Sequence, residues 1–522
     1  MELISTTTAF LSALMLILVS FLAHKARGKS MKKRRPPGPL ALPFVGCIHH
    51  LLTSQPQAAL RDLAQKHGPV MYLKLGQVDT VVISSPTAAQ EALREKDLSL
   101  ASRPSLLGSE IICYGNRDIA FAPYGDYWRS LRKMCTVELL NASKVRQFAA
   151  IRDSETMSLV REIRCAAAAT TGGAEAEPVN LGGLLLSCSN SITGRAAFGN
   201  RCSSELKADF LSAISVVISN ISGFCVSDLF PSLRFMDALT GTKRRLWRAH
   251  QQLEDVFGRI ISDGEVRREE RMGTTAGEDD DDLLSVMLRI RDEGGFEIPI
   301  NNTNIKGIIL DLFTAGTETT SSVAEWLMTE LMRNPNTMQK AQEEVRQALN
   351  HKSPHEHESQ MDKLHYLRMV IKETLRLYPP LPLLIPRQCR ETCDVGGYEV
   401  PKGSRVIVNA WAIARSQAHW DNADKFMPER FEHNGAADYY KAAATTTQFE
   451  YLPFGHGRRI CPGMGFGLST LEILVARLLY YFDWSLPDGM KVEDLDMDMT
   501  VGASARRTNK LHLVASPYQV PM

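Results

Sequence analysis

Apolar residues recur every three to four positions along much of the chain, which is the spacing of one buried helix face. Clear examples are Met369–Leu377 and Leu468–Leu479. A longer helical pattern runs over Asn304–Arg333 and stops at Asn334-Pro335, because proline cannot continue a helix. The pattern therefore predicts a helix-rich fold with one long helix in the second half of the chain.

Short runs rich in β-branched residues interrupt the helical pattern. They are Val70–Leu75, Thr80–Ser84 and Arg405–Asn409. Their small number predicts a mainly α fold with small β-sheets, in the α+β class. The chain shows no internal repeat and no second domain boundary, so we expect a single catalytic domain over residues 41–522.

The first two dozen residues have a different pattern. Leu3–Ala23 carries no charge and, at 21 residues, is long enough to span a bilayer as a helix. Seven basic residues follow between Lys25 and Arg35, which places this side of the span in the cytosol. A cleaved signal peptide would begin with basic residues, but here Glu2 precedes the apolar run. The sequence predicts a single-pass anchor at 1–24 and a basic, proline-rich linker at 25–40.

Composition narrows the function classes. The 60 basic and 59 acidic residues nearly cancel, so bulk charge gives no sign of nucleic-acid binding. Ten cysteines occur without a CxxC pair, which argues against a disulfide framework. Most cysteines are therefore expected to act as small buried apolar residues. One cysteine differs, because it lies in a glycine-rich loop.

That cysteine is Cys461, in a loop between Phe454 and Gly463 that contains several glycines and a proline. Exposed N–H groups in such a loop stabilise a thiolate, the form that ligates metal. Arg459 lies two residues earlier and can pair with an anionic cofactor edge. A buried cysteine in a turn is the structural alternative.

This loop carries the full FxxGxRxCxG signature and resembles the cytochrome P-450 family, in the form found in plant endoplasmic-reticulum members. The resemblance covers nearly the whole chain. It implies the cytochrome P-450 fold and haem b, with Cys461 as the iron ligand and Phe454 and Arg459 beside the cofactor. It also implies electrons from NADPH through a diflavin reductase in the same membrane, since this chain has no flavin or GxGxxG signature.

The long predicted helix contains Ala315-Gly316-Thr317-Glu318-Thr319-Thr320. Glycine and threonine are poor helix formers, and hydroxyl groups can bond the carbonyl four residues earlier. A packing notch would explain the small residues. The family resemblance implies instead a groove for oxygen activation, in which Glu318 and Thr319 deliver protons.

Several charged residues gain a role through the same resemblance. Glu373 and Arg376 share a helix face as an ExxR pair, and with Arg430 they would form a buried structural network. Trp128 and Arg132, in a WxxxR pattern, would meet one haem propionate, and Arg387 would meet the other.

The segments that line the pocket in this family are apolar in this chain, which suits a lipophilic hydrocarbon. The chain resembles grass enzymes that oxidise terpenes, above all pimaradiene-type diterpenes. Phenylpropanoid, fatty-acid and indolic substrates are the alternatives within the family. The predicted lining residues are Leu107, Ile112, Leu312, Ala315, Leu384, Ile385 and Val501.

Two other classes of protein are alternatives to a haem-thiolate monooxygenase of plant secondary metabolism. A non-oxygenase haem isomerase would depart from the pattern at the groove threonine and in the cysteine loop, and both are intact here. A non-catalytic membrane haem protein would lack Cys461, Thr319 or the ExxR pair, and all are present. The sequence therefore predicts a monooxygenase of the endoplasmic-reticulum membrane, with its catalytic domain in the cytosol.

Overall fold

The computed structural model describes residues 35–168, 177–199, 213, 225–272, 282–432, 449–487, 489–501 and 504–519. The predicted anchor at 1–24 lies outside these ranges. Within them, no helix is both long enough and apolar enough to cross a membrane. Of the predicted linker, residues 35–40 are described, and the Pro37 carbonyl accepts a hydrogen bond from Tyr72 N–H at 2.8 Å.

Helices dominate the described residues, as the apolar spacing predicts. They are α1 Pro56–His67, α2 Pro86–Gln90, α3 Leu107–Ile112, α4 Asp126–Met134, α5 Ala142–Gln147, α6 Ala149–Ala168, α7 Leu181–Phe198, α8 Val226–Leu229, α9 Met236–Leu239, α10 Thr242–Met272, α11 Leu283–Glu293, α12 Asn302–Arg333, α13 Pro335–Leu349, α14 His365–Leu377, α15 Ala410–Ile413 and α16 Met464–Tyr481.

Short strands complete the α+β fold. They are β1 Val70–Leu75, β2 Val78–Ile83, β3 Val179–Asn180, β4 Arg387–Gln388, β5 Cys393–Val395, β6 Tyr398–Val400, β7 Arg405–Val408, β8 Phe482–Ser485, β9 Met499–Val501, β10 Ala505–Arg507 and β11 His512–Pro517. The largest sheet has the order β1-β2-β7-β4, with β2 and β7 parallel. This sheet holds Arg387 at its edge, where β4 pairs with β7.

The long helix α12 runs through the main core and packs against α7, α14 and α16. It begins two residues before the predicted start, because the side chains and N–H groups of Asn301 and Asn304 cap each other. Gly316 lets α7 approach closely, since a Cβ atom there would lie 3.0 Å from Thr193 Oγ1. The packing notch therefore exists, and it is on the α7 side of the helix.

Candidate active site

Cys461 lies just before α16 and is partly exposed as a residue, although its thiol group points into the protein interior. Its N–H donates to the Phe454 carbonyl at 3.0 Å, which closes the loop into a turn. Burial raises the pKa of the thiol, whereas the Gly463 N–H and the charge of Arg132 lower it. The loop therefore presents one thiol with an N–H donor and a cation positioned to stabilise its thiolate.

Asp97 holds the cysteine loop in place through Arg458. Its carboxylate accepts the Arg458 N–H at 2.9 Å and pairs with the Arg458 and Arg387 guanidinium groups at 3.0 and 2.7 Å. The loop comes so close that a Cβ atom on Gly457, at φ +73°, would lie 2.4 Å from the Leu93 carbonyl oxygen. Asp97 was missed by the sequence analysis, because it follows Glu95 and Lys96 and looks like part of a solvated face.

Four arginines surround this loop, and we call Arg103, Arg132, Arg387 and Arg459 the cationic cluster. Arg459 is buried and donates to the carbonyls of Ala101, Ile119 and Ala122 at 2.8, 3.1 and 2.5 Å. Burial, and then the charge of Arg387, lower its pKa to about 9. Arg387 also donates to the His456 carbonyl at 2.7 Å.

Arg103 is the member of the cluster that the sequence analysis missed. It is buried and donates to the carbonyls of Ala120, Ile385 and Pro386 at 2.8, 2.6 and 3.0 Å. Burial, and then the charges of Arg459 and Arg387, lower its pKa. Within the part of the chain that the structure describes, Asp97 is the only carboxylate in an ion pair with the cluster.

Trp128 and Arg132, which are predicted to meet one haem propionate, both lie at the cationic cluster. The Trp128 indole N–H already donates to the Ile119 carbonyl at 2.9 Å, and its ring stacks under the Arg459 guanidinium at 4.1 Å. Arg132 is half-buried, and burial lowers its pKa while Cys461 raises it. Trp128 thus orients Arg459, and Arg132 is the cation beside the thiol.

The cluster and the thiol together fit an anionic, metal-containing cofactor. Buried guanidinium groups that lack carboxylate partners are costly unless an anion neutralises them. The two carboxylates of haem would supply that charge, and a thiolate is a suitable iron ligand. The donor set is therefore consistent with the haem that the sequence predicts.

The groove segment of α12 remains helical. Thr319 Oγ1 donates to the Ala315 carbonyl at 2.5 Å, and Ala315 is exposed although it lies in the middle of the helix. Glu318 accepts a hydrogen bond from Ser504 Oγ at 2.8 Å and pairs with Arg506 at 3.3 Å. Glu318 is thus fastened to the β9–β10 hairpin, while Thr319 keeps its hydroxyl lone pairs free to accept from water.

Glu373 and Arg376, both on α14, form one network with Arg430. The Glu373 carboxylate binds Arg376 in a bidentate pair at 2.7 and 2.9 Å and Arg430 at 3.0 Å. Arg376 also donates to the carbonyls of Ala414 and Ala423. Glu373 and Arg376 are fully buried, so the protein itself satisfies this network.

The predicted lining residues separate into two kinds. The apolar side chains that remain at least partly exposed are those of Leu107, Leu312, Ala315, Leu384 and Ile385. Ile112 is instead fully enclosed in the main core. Val501 belongs to β9, but its side chain lies outside the described part of the molecule.

The chain is similar to known proteins over most of its length. The cytochrome P-450 family model matches residues 36–513. The 9-beta-pimara-7,15-diene oxidase of Oryza sativa subsp. japonica is 57% identical over 519 residues, which is 99% of both chains. Premnaspirodiene oxygenase of Hyoscyamus muticus is 46% identical over 96% of both chains. A zebrafish cytochrome P-450 solved with progesterone covers 89% of this chain and 99% of its own at a TM-score of 0.72 and 23% identity, which shows the fold.

Proposed function

The chain belongs to the cytochrome P-450 family, and we propose that it oxidises a diterpene hydrocarbon of the pimaradiene type. It is a haem-thiolate monooxygenase that takes electrons from a partner reductase and acts on a small lipophilic substrate. The observation that carries the substrate proposal is the full-length 57% identity to a pimaradiene oxidase. The apolar side chains at Leu107, Leu312 and Ile385 support it, because a hydrocarbon has no polar group to satisfy.

The protein's part in the chemistry begins with holding haem b. We assign Cys461 as the iron ligand, with Arg459, Arg387, Arg132 and Arg103 as the cations that neutralise the haem carboxylates. Phe454 lies at the start of the same loop. When bound, the haem supplies dioxygen activation and insertion of one oxygen atom into a C–H bond.

Thr319 and Glu318 are proposed to deliver protons to the haem site. The Thr319 hydroxyl donates to the Ala315 carbonyl, so its oxygen can accept a hydrogen bond from water in the groove. Glu318 is paired with Arg506, whose side chain is 51% exposed, so that this carboxylate borders solvent. Protons would pass from this edge to water held by Thr319, while the apolar lining excludes other water from the substrate.

The test is product formation in microsomes that contain the full chain, a diflavin reductase and NADPH. The panel should include pimaradiene-type diterpenes, smaller terpenes, a phenylpropanoid, a fatty acid and an indolic compound. We expect a diterpene product heavier by one oxygen atom, detected by mass spectrometry. Turnover of a phenylpropanoid, fatty-acid or indolic compound alone would replace the diterpene proposal and leave the monooxygenase class intact.

The iron ligand has a separate test. Cys461→His should retain haem but lose the ferrous–CO absorption band from which the family takes its name, because that band requires a thiolate ligand. Cys393→Ser is the matched control, since it alters another partly exposed cysteine. A retained band in Cys461→His would mean that a different residue ligates the iron.

We also propose that residues 1–24 anchor the chain in the endoplasmic-reticulum membrane, with residues 25–40 as the linker and 41–522 as the cytosolic catalytic domain. The uncharged span from Leu3 to Ala23 and the basic residues after it support this. Deletion of residues 1–24 should release the protein in carbonate or salt washes. Retention in both washes would contradict a single anchor.

The surface around Arg132 and Lys133 is the proposed docking site for the acidic reductase.

A further inference from the structure

Two carboxyl groups, those of Asp118 and Asp311, face each other beside the cationic cluster. Together with the Cys113 thiol, they each offer an atom within 4.8 Å of the others. Burial raises the pKa of both carboxyl groups, and the charge of Asp118 raises that of Asp311 further. Because two ionised carboxylates would repel each other there, the pair favours the state that keeps one proton.

The pair accepts hydrogen bonds from one short backbone segment, residues 118–122, which we call the 118–122 strip. Asp311, on α12, accepts the N–H groups of Ile119 and Ala120 at 2.7 and 3.0 Å. Asp118 accepts the N–H of Phe121 at 3.2 Å. The N–H side of the strip is thereby fixed to the long helix, one turn before Ala315.

The carbonyl side of the same strip holds the cations. Arg459 donates to the carbonyls of Ile119 and Ala122, and Arg103 donates to that of Ala120. Neither guanidinium forms an ion pair with a carboxylate among the described residues, so backbone carbonyls accept their hydrogen bonds, inside the strip and at Ala101, Ile385 and Pro386. A shift of the strip would therefore break bonds to both guanidinium groups.

We propose that Asp311 is a positioning residue of the haem site: it holds the N–H side of the 118–122 strip on α12, and so orients Arg103 and Arg459 toward the haem carboxylates. The proposal depends on the haem site and is independent of the substrate. A divalent cation held by Asp118, Asp311 and Cys113 is the competing explanation, and the test distinguishes it.

The test uses three variants of the full-length holoenzyme. Asp311→Asn keeps an acceptor for the two N–H groups and a donor for Asp118, so it mimics the neutral carboxyl group. Asp311→Ala removes the acceptor. Thr314→Val is the matched control, because it changes a nearby α12 hydroxyl that has no hydrogen-bond partner among the described residues. Asp311→Ser, which can satisfy one N–H at most, replaces the alanine variant if that variant does not fold.

Two readouts are independent of turnover: the rate of haem transfer to excess apomyoglobin, and the reduction potential of the substrate-free haem. Asp311→Ala should lose haem on the order of tenfold faster, since two buried N–H groups lose their acceptor. Its potential should become more negative, because loosened cations no longer offset the charge of the haem carboxylates. Asp311→Asn and Thr314→Val should match the wild type.

Several outcomes would overturn the proposal. If Asp311→Ala, or Asp311→Ser in its place, leaves both haem transfer and potential unchanged, Asp311 only packs. If the asparagine variant loses haem as fast as the alanine variant, the hydrogen bonds to the strip are not what matters. A metal ion beyond the haem iron that is lost in Asp311→Asn would make the pair a metal site. None of these results depends on whether the enzyme accepts a diterpene.

Discussion

Two groups of buried arginines in this protein differ in how their charge is satisfied. In the Glu373 network, Arg376 is held by a bidentate carboxylate and by backbone carbonyls, with both charged side chains fully buried. In the cationic cluster, Asp97 pairs with Arg387, and the other three guanidinium groups form no ion pair with a carboxylate among the described residues. The first group is complete without any ligand. The second carries more positive charge than Asp97 and the nearby Asp118–Asp311 pair balance, so an added anion would stabilise it. The contrast separates a structural network from a binding site that looks similar in sequence.

The largest expected effect is on the complete network. Glu373→Ala leaves Arg376 buried without its partner and should lower the free energy of unfolding by about 3–5 kcal/mol. Urea unfolding of the full chain measures this, with and without haem, and the loss should be similar in both forms. Lys340→Ala, which breaks an exposed pair with Glu429, should cost about 0–1 kcal/mol. A small effect of Glu373→Ala would mean that the two groups of arginines do not differ as argued.

The next largest effect is expected for Arg459 and distinguishes the cationic cluster from the Glu373 network. Arg459→Met should speed haem dissociation by about tenfold to a hundredfold, since hydrogen bonds between charged groups contribute roughly 1.5–3 kcal/mol. Its cost in unfolding free energy should be larger with haem than without, because the haem-free protein bears the unneutralised cation. Haem transfer to apomyoglobin and paired urea titrations measure both quantities. Equal costs in the two forms would make Arg459 part of a structural network like that of Arg376.

A smaller effect is expected when the Asp97 carboxylate, which pairs with the cationic cluster, is neutralised. Asp97→Asn leaves the cluster more positive and should lower the stability of the haem-free protein by about 1–3 kcal/mol. The loss should shrink when haem is bound, because its carboxylates supply the missing charge. Thermal unfolding of both forms tests this. Asp424→Asn, which alters a mostly exposed partner of Arg415, serves as the control and should have little effect in either form.

The smallest effect on stability is expected at Thr319. Thr319→Ala loses the bond to the Ala315 carbonyl but gains helix propensity, so stability should hold. NADPH should still be consumed, with more hydrogen peroxide and less oxidised product. The measurement is product formed per NADPH, with haem content as the control for folding. An unchanged ratio would make Thr319 a packing residue or assign its role to Thr320.

Local patterns identified the parts of the site that depend on nearby residues. Apolar spacing marked the long helix and α16, because a helix face is a property of consecutive residues. The run Val70–Leu75 became β1 with the same bounds, and Glu373 and Arg376 lie on one helix face at a separation of three. The glycine-rich loop around Cys461 was visible for the same reason, since its chemistry is concentrated in ten consecutive residues.

Only the tertiary structure decided how the charges are paired. Asp97 contacts Arg387 and Arg458 across 290 and 361 positions of the chain, and nothing in its local sequence sets it apart from a solvated acid. Arg103 and Asp311 are similar cases, since burial alone gives an ordinary charged residue its role. The motif predicts Trp128 beside a haem propionate, and only the structure shows that its N–H donates to the Ile119 carbonyl. Sequence determines which groups are present, and long-range packing determines which charges are left for the cofactor to neutralise.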